Sequence, residues 1–327
     1  MLTDKKLTFA TANLFNFIEP PGAFYEFENI YERDAWQEKC RWTKNQINKL
    51  DADIVGIQEV FSIDAARAMF EQLGYPYFAC VDQPNIEDGY IYSQPVVAIA
   101  SRYPITHIKA VTPLDCIQQN YQTLVPAFSR KPVYTVVNVP IIGEVAVYVC
   151  HLKSQRATES HGGEHAHALI GQWLSSQQRG WEAVMLRLFM EQQYQRHPIP
   201  TVLVGDMNQP LSSDITGQLT KTINHDIEQL KLQDSWHIYS ANLLNDDSVP
   251  SDNRQVIART PTHYHFAKGN VLDYILLSQE FQTDSQYSLA DISNYHVLDD
   301  HLINPIFERD KQASDHAFVA ITVNFVL

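Results

Sequence analysis

The chain has 327 residues, 45% of them hydrophobic and 19% charged, and 24 basic against 38 acidic residues give a formal net charge of −14. That much apolar material supports a sizeable core and excludes wholesale disorder. The charge has the wrong sign for gripping duplex DNA by phosphate neutralisation alone, although a bound divalent cation and a local basic patch can reverse the field at one site.

Leu7 to Leu14 is a β-type run with Asn13 near its end. Between Glu32 and Leu50 the apolar Trp36, Cys40, Ile47 and Leu50 recur at helical spacing, with charges on the other face. Asp53 to Glu59 is the next strand, filled by Ile54, Val55 and Ile57 and finished by Gln58 and Glu59. Ser62 reads as the N-cap of a helix that buries Ala66, Met69, Phe70 and Leu73 and stops at Gly74. Short strands follow at Tyr77–Val81, Pro95–Ser101 and Ile105–Val111. A hairpin then spans Val133–Pro140 and Glu144–His151, turning at Gly143.

A polar loop, Ser154 to His165, leads into a long helix from about Ala166 to Tyr194, with Ile170, Leu174, Trp181, Val184 and Leu188 as its expected buried stripe. Next comes Thr201 to Pro210, around which the chain is organised. Val202, Leu203 and Val204 make a strand buried on both faces, Gly205 lets the backbone bend, and Pro210 ends ladder pairing. Asp206 and Asn208 share one face in extended backbone, while Met207 points into the packing. A carboxylate and a carboxamide at the mouth of such a strand are costly unless something binds there. A shorter helical region is expected around Ile215–Leu232 and a polar surface excursion at Asn242–Arg259. Val271–Leu277 and Phe318–Phe325 are the last strands. No repeat or low-complexity linker interrupts the chain, so a single domain over residues 1–327 is expected. Several neighbouring strands have no helix between them. Two mixed or antiparallel sheets packed face to face, with helices outside, therefore fit better than a purely parallel sheet.

One pattern recurs six times: an apolar strand meeting an uncompensated polar residue. Asn13, Glu59, His151, Asp206 with Asn208, Asp273, and Asp315 with His316 are the instances. Their restriction to Asn, Asp, Glu and His points to a shared site for a hard cation and a phosphate.

In this respect the chain resembles the endonuclease/exonuclease/phosphatase superfamily. The matching segments are Thr11-Ala12-Asn13-Leu14, Ile57-Gln58-Glu59-Val60, Ser101-Arg102-Tyr103-Pro104-Ile105, Cys150-His151-Leu152, Gly205-Asp206-Met207-Asn208, Leu272-Asp273-Tyr274-Ile275-Leu276 and Ser314-Asp315-His316. They follow the family's order and span nearly the whole chain. The resemblance implies a four-layer α/β sandwich of two packed sheets flanked by helices. It implies Glu59 as principal ligand of Mg²⁺, with Asn13 and Asp315 completing the oxygen environment and Mn²⁺ or Ca²⁺ as possible substitutes. It also implies that Asp273 orients His316 and that Asp206 deprotonates the attacking water, with His316 as the rival base. Asn208 and His151 would donate to phosphate oxygens. Because Asp315 and His316 are adjacent, they are expected to point apart in extended backbone.

Lys153, Arg156, Arg130 and Lys131 are candidate phosphate contacts or plain solvated surface, and Arg102 reads as a turn anchor. Tyr264 and Phe266 fall in a segment that lines the substrate pocket in the family, where a base could stack, although core packing is the simpler reading. His161 and His165 could bind a transition metal from one helical face, against the simpler reading of a loop and helix start beside the site.

The implied activity is in-line attack of water on a phosphodiester, with a nuclease as the first expectation and nucleic acid as the substrate that goes with it. A phosphatase or phosphodiesterase for a small or lipid-linked phosphate is the alternative, because the acidic charge and the lack of a basic stripe count against nucleic acid. A non-catalytic binding module on the same fold is a third reading, opposed by the filling of every catalytic position. No obligate protein partner is evident. Cys40, Cys80, Cys116 and Cys150 are far apart and read as small buried hydrophobes in a reducing compartment. With no signal-type apolar region and no run of membrane-spanning length, a cytoplasmic protein is expected, although a secreted mature form would read the same.

Overall fold

The computed structural model describes residues 6–140, 142–160, 167–222, 229–244 and 258–325. In chain order these form β1 (Lys6–Phe17), β2 (Ala23–Phe24), α1 (Arg33–Leu50), β3 (Ile54–Val60), α2 (Ile63–Gln72) and β4 (Tyr77–Cys80). Then come β5 (Asn85–Glu87), β6 (Ile91–Ser93), β7 (Val96–Ser101), β8 (Ile105–Ala110), α3 (Asp115–Tyr121), β9 (Val133–Val139) and β10 (Gly143–His151). The second half holds α4 (Ala168–Arg196), β11 (Thr201–Asp206), β12 (Gln233–Asp234), α5 (Ser235–Leu244), β13 (His263–His265) and β14 (Lys268–Asn270). It closes with β15 (Asp273–Leu277), β16 (Ala290–Leu298), α6 (Asp300–Ile303), α7 (Phe307–Asp310) and β17 (Phe318–Phe325).

Two six-stranded sheets dominate, in the orders β16-β17-β1-β3-β7-β4 and β12-β15-β11-β10-β9-β8. Both are mixed. β1 is antiparallel to β17 and parallel to β3, while β10 is parallel to β11 and antiparallel to β9. The period of two along each strand divides its side chains between two cores. Phe9, Val319 and Ile321 of the first sheet meet Val147, Val149, Val202, Val204 and Ile275 of the second. Ala10, Ala12, Val55 and Ile57 face outward onto Trp42 and Ile47 of α1 and Met69 and Phe70 of α2. On the far side Tyr148, Cys150, Leu203 and Leu276 pack on Ala183, Leu186 and Phe189 of α4. The layers run helix, sheet, sheet, helix, as the sequence implied. A Cβ at Gly56 would lie 2.2 Å from Cγ2 of Val204, so the sheets approach this closely only because β3 lacks a side chain there.

Three local expectations fail. The buried face of α4 is not the expected stripe: Ile170 and Leu174 are 59% and 44% exposed, and Trp181, Val184 and Leu188 are half-buried. The helix instead buries Arg179, Glu182 and Arg187 beside its apolar contacts, and a pattern reading assigns charged residues to solvent. Around Ile215–Leu232 the described residues hold only a 3₁₀ turn, Thr216–Leu219, in place of a longer helix. Ser213 Oγ accepts the Thr216 N–H (3.2 Å) and Thr216 Oγ donates to the Pro210 carbonyl (2.7 Å), local bonds that compete with helix propagation. Ser62 does not cap α2 with its side chain; its hydroxyl accepts the Glu19 N–H at 2.8 Å. Most of the Asn242–Arg259 excursion, and the pair His161 and His165, lie outside the described residues. Among the described residues no helix is long and apolar enough to cross a membrane.

Candidate active site

The second sheet presents three of the expected residues in one row. Its register pairs His151 with Asp206 and Asp206 with Asp273, so these side chains stand next to one another at the same end of β10, β11 and β15. Gly205 makes that row possible through close approach. Its φ is +151°, and a Cβ would fall 2.0 Å from the Cys150 carbonyl oxygen. Met207 is fully buried, with its sulfur 3.5 Å from Cys150 Sγ.

The first sheet delivers its residues through distorted backbone. Asn13 pairs with Gln58, after which β1 and β3 lose register until Phe17 meets Val60. Phe15, Asn16 and Glu59 adopt left-handed backbone, with φ of 51°, 51° and 59°. This turns the Glu59 carboxylate toward Asn13 Nδ2 (3.4 Å) and the Asn16 N–H (2.9 Å), while Asn13 Oδ1 accepts the Phe15 N–H at 3.0 Å. Ser314 ties in the last segment: its hydroxyl donates to the Asn13 carbonyl (2.7 Å) and accepts the His316 N–H (3.0 Å).

The two deliveries meet at Asp206. Its Oδ2 has Asn13 Nδ2 at 3.2 Å, Asn208 Nδ2 and His151 Nε2 at 3.4 Å, and His316 Nε2 at 3.8 Å. Its Oδ1 accepts the Asn208 N–H at 2.7 Å. His316 Nδ1 lies 2.8 Å from Asp273 Oδ2, the expected orienting pair. Asn13, Asp206 and Asp273 are at most 1% exposed. Burial, aided by Asp273 and Glu59, pushes the Asp206 carboxyl up to about 7 against the pull of His316. For His316, burial works against the charge, but Asp273, Asp206 and Asp315 outweigh it and hold the imidazole well above its ordinary value. Burial, then Arg130 and His316, keep His151 well below its ordinary value and therefore neutral.

Asn13, Glu59, His151, Asp206, Asn208, Asp273 and His316 thus form one connected group. Asp315 stands at its rim, 45% exposed, with Oδ1 4.0 Å from His316 Nε2. The two neighbours do not point apart because residue 315 lies in a bend and not in extended backbone. Asn208 also departs from expectation. Its Nδ2 donates to the Leu152 carbonyl (2.9 Å) and to Asp206, which commits the amide to bracing the loop. The donor set beside Asp206 fits a hard divalent cation: the Asn13 amide joins Glu59 Oε1 (3.4 Å) to Asp206 Oδ2 (3.2 Å), so oxygen donors from both sheets border one hollow, with the Asp315 carboxylate at its rim.

Several contributors escaped the sequence reading. Arg179 of α4 donates to the Lys153 (2.8 Å) and Ser154 (3.1 Å) carbonyls and to Gln209 Oε1 (3.0 Å). Glu182, three residues on, accepts the N–H groups of Ser129 (2.7 Å) and Lys153 (2.6 Å). This pair pins the loops after β10 and β11, and a buried i,i+3 charge pair on a helix beside a polar loop was its signal. Lys39 of α1 is 1% exposed, its Nζ 5.5 Å from the ring centres of Phe15 and Tyr31, and burial ahead of the attraction of Glu59 and Asp315 pulls it down to about 8.

Of the uncertain cations, Lys131 pairs with Asp82 and Arg156 with Glu159 at the surface. Arg102 anchors a turn through Asp51 and Asp53, as expected. Arg130 differs, since its Nε and Nη1 are shielded from solvent and unpartnered among the described residues. Phe266 is 92% exposed, against the core-packing expectation, because it sits at the tip of the β13–β14 hairpin.

A two-sheet α/β sandwich with a carboxylate–histidine cluster at its strand ends is an architecture of phosphoester hydrolases. The model of the Endonuclease/Exonuclease/phosphatase family matches residues 40–316, and the chain belongs to that family. Among solved structures, the human Nocturnin catalytic domain with bound sulfate anion is similar at 14% identity and a TM-score of 0.61, over 99% of this chain and 96% of that one. D. rerio TDP2 complexed with single strand DNA product is similar at 13% identity and a TM-score of 0.56, covering 98% of this chain and 100% of that one. The Bacteroides thetaiotaomicron mannosyl-6-phosphatase Bt3783 shares 17% identity with a TM-score of 0.55, over 98% and 100%. No curated protein matches the chain.

Proposed function

We propose that the chain is a divalent-metal-dependent phosphodiester hydrolase acting on nucleic acid, as one catalytic domain over residues 1–327. The observation that carries the hydrolase reading is the meeting of four nitrogen groups on Asp206 Oδ2, between a protonated histidine and a carboxylate-rich pocket.

Glu59 and Asn13, with Asp315 from the rim, hold Mg²⁺ in this reading. Bound there, the ion supplies Lewis-acid polarisation of the phosphoryl group and stabilises charge on the leaving oxygen. Asp206 Oδ2 takes the proton of the attacking water, and a carboxyl pushed up to about 7 is matched to that task near neutral pH. His316 is a poor base because its neighbours keep it charged; it serves as a fixed cation for phosphate oxygens, oriented by Asp273. Neutral His151 donates from Nε2 to a non-bridging oxygen. Asn208 holds Asp206 in place and leaves the phosphate to the histidines.

The choice of nucleic acid rests on the rim. Phe266 stands free for stacking at the tip of a hairpin whose first residue, His263, bridges to His316, and Arg130 offers unpartnered N–H groups toward the His151 side. The reading is supported by the D. rerio TDP2 structure of similar fold, which is complexed with single strand DNA product. The test is hydrolysis of a single-stranded oligonucleotide, a small aryl phosphodiester and a phosphomonoester, each with Mg²⁺ and with chelator. Chelator-sensitive cleavage fastest on the oligonucleotide is expected. Turnover of the monoester alone would replace this reading with a phosphatase acting on a small phosphate.

A further inference from the structure

A second set of ligand atoms opens onto the same hollow. One ring nitrogen of His263, a carboxylate oxygen of Asp315 and a ring nitrogen of His316 lie within 4.8 Å of one another. Asp273 occupies His316 Nδ1, so the nitrogen turned to Asp315 is Nε2, 4.0 Å from Oδ1. The two histidines face each other across an antiparallel backbone bridge, ring centroids 5.0 Å apart. Thr262 fixes the approach of His263: its hydroxyl accepts the N–H groups of Leu272 (2.9 Å) and Asp273 (3.1 Å), and its carbonyl accepts the Ala317 N–H at 2.7 Å. His263 Nδ1 is shielded from solvent without a partner among the described residues.

Two imidazoles and one carboxylate differ in kind from the oxygen set around Glu59. Mg²⁺ selects oxygen ligands, whereas Zn²⁺ takes nitrogen and oxygen together in a tetrahedron. We infer that His263, Asp315 and His316 form a transition-metal site suited to Zn²⁺, and that filling it withdraws Asp315 and His316 from phosphoester hydrolysis. Closing the three atoms around an ion with bonds of about 2.0–2.1 Å asks for a contraction on the order of 1 Å. Asp315 can supply it, being half-exposed in a bend; the Nε2 proton of His316 leaves to solvent as the ion binds, Nδ1–H stays on Asp273, and the fourth position is left to water. Binding stands on the geometry alone; the inhibitory consequence rests on the proposed function.

The full chain, stripped with chelator and returned to excess Mg²⁺, is titrated with Zn²⁺ by calorimetry and with Co²⁺ by visible absorption. One Zn²⁺ per chain and a tetrahedral Co²⁺ spectrum are expected. His263→Gln, and His263→Tyr as a ring-preserving second variant, should weaken Zn²⁺ binding at least about tenfold. Zn²⁺ should also inhibit oligonucleotide cleavage, each variant measured against its own Mg²⁺ rate, with the inhibition constant rising by the same factor in the His263 variants. Unchanged Zn²⁺ affinity in both variants overturns the site. So does binding that survives loss of His263 but is abolished by Asp206→Asn, which would put the ion on the Asp206–Asp273–His316 group. If no phosphoester is hydrolysed under any condition, the proposed function fails, while the calorimetry still decides the metal site.

Discussion

The two sheets bring polar residues to the site by different means. In the second sheet the ladder stays regular to its end, and His151, Asp206 and Asp273 are side by side because they are in register. In the first sheet β1 and β3 fall out of register, and Glu59 reaches inward only from left-handed backbone, as do Phe15 and Asn16 behind it. Each such non-glycine residue costs on the order of 1–3 kcal/mol. The contrast matches the chemistry proposed for each half. Proton-handling groups need a fixed mutual geometry, which a ladder gives. A cation site needs oxygens turned inward from several directions, which a strained bulge gives.

The comparison breaks most visibly at Asp206. Asp206→Asn should keep the fold and the melting temperature within a few degrees, yet lower kcat by about 10²–10⁴-fold. Saturating Mg²⁺ should not restore the rate; restoration would move the proton-transfer role elsewhere. On the strained side, Glu59→Gln should raise the Mg²⁺ concentration for half-maximal rate by about 10–100-fold while leaving kcat at saturation less affected.

Backbone variants sharpen the same contrast by moving stability in opposite directions. Gly205→Ala places a methyl 2.0 Å from the Cys150 carbonyl oxygen and should cost about 1–3 kcal/mol or more in denaturant unfolding. At position 59 glycine is the relieving residue. Glu59→Gly should be more stable than Glu59→Ala by about 1 kcal/mol, since the two differ only in a Cβ held in left-handed backbone. Equal stabilities would show that the first sheet is not strained at its bulge.

The same difference governs what was legible in the sequence. Strands that stay regular announce themselves by apolar runs ending in a polar residue, so Asp206, Asp273 and His151 could be read from composition along the strand. The two-sheet architecture followed from strands lacking intervening helices. What could not be read depends on departures from periodicity. Glu59 and Asp315 were marked by the same strand-end pattern, but not how they are delivered: the bend that brings Asp315 beside His316 and the positive φ that turns Glu59 inward leave no spacing signature. On α4 the burial of Arg179 and Glu182 inverts the rule that charged faces meet water, so the stripe built on Ile170 and Leu174 chose the wrong side. His263 stayed hidden because its meaning lies in a backbone bridge to a residue fifty-three positions away.

A smaller effect tests how the last segment is held against the first sheet. Asp310 of α7 accepts the Trp42 indole N–H of α1 (3.0 Å), the Ile306 N–H (2.9 Å) and two bonds from Arg309, both at 2.9 Å. Burial opposes its charge, but these donors outweigh burial and hold the carboxyl down to about 2. A carboxyl depressed in the folded state contributes its stability in full above its unfolded value of about 3.9 and loses it as pH falls through the folded value. The wild-type melting temperature should therefore drop between about pH 4 and 2 by more than that of Asp310→Asn, whose amide cannot titrate. Above that window the variant should be less stable by about 1 kcal/mol, carried mainly by the Trp42 and Ile306 bonds because Arg309 is half-exposed and screened. Asp310 braces the turn that leads to Ser314, Asp315 and His316. Loss of the brace should accordingly raise the Mg²⁺ concentration for half-maximal rate before it alters the pH profile set by Asp206, which distinguishes slackening of the first sheet's contribution from damage to the ladder of the second.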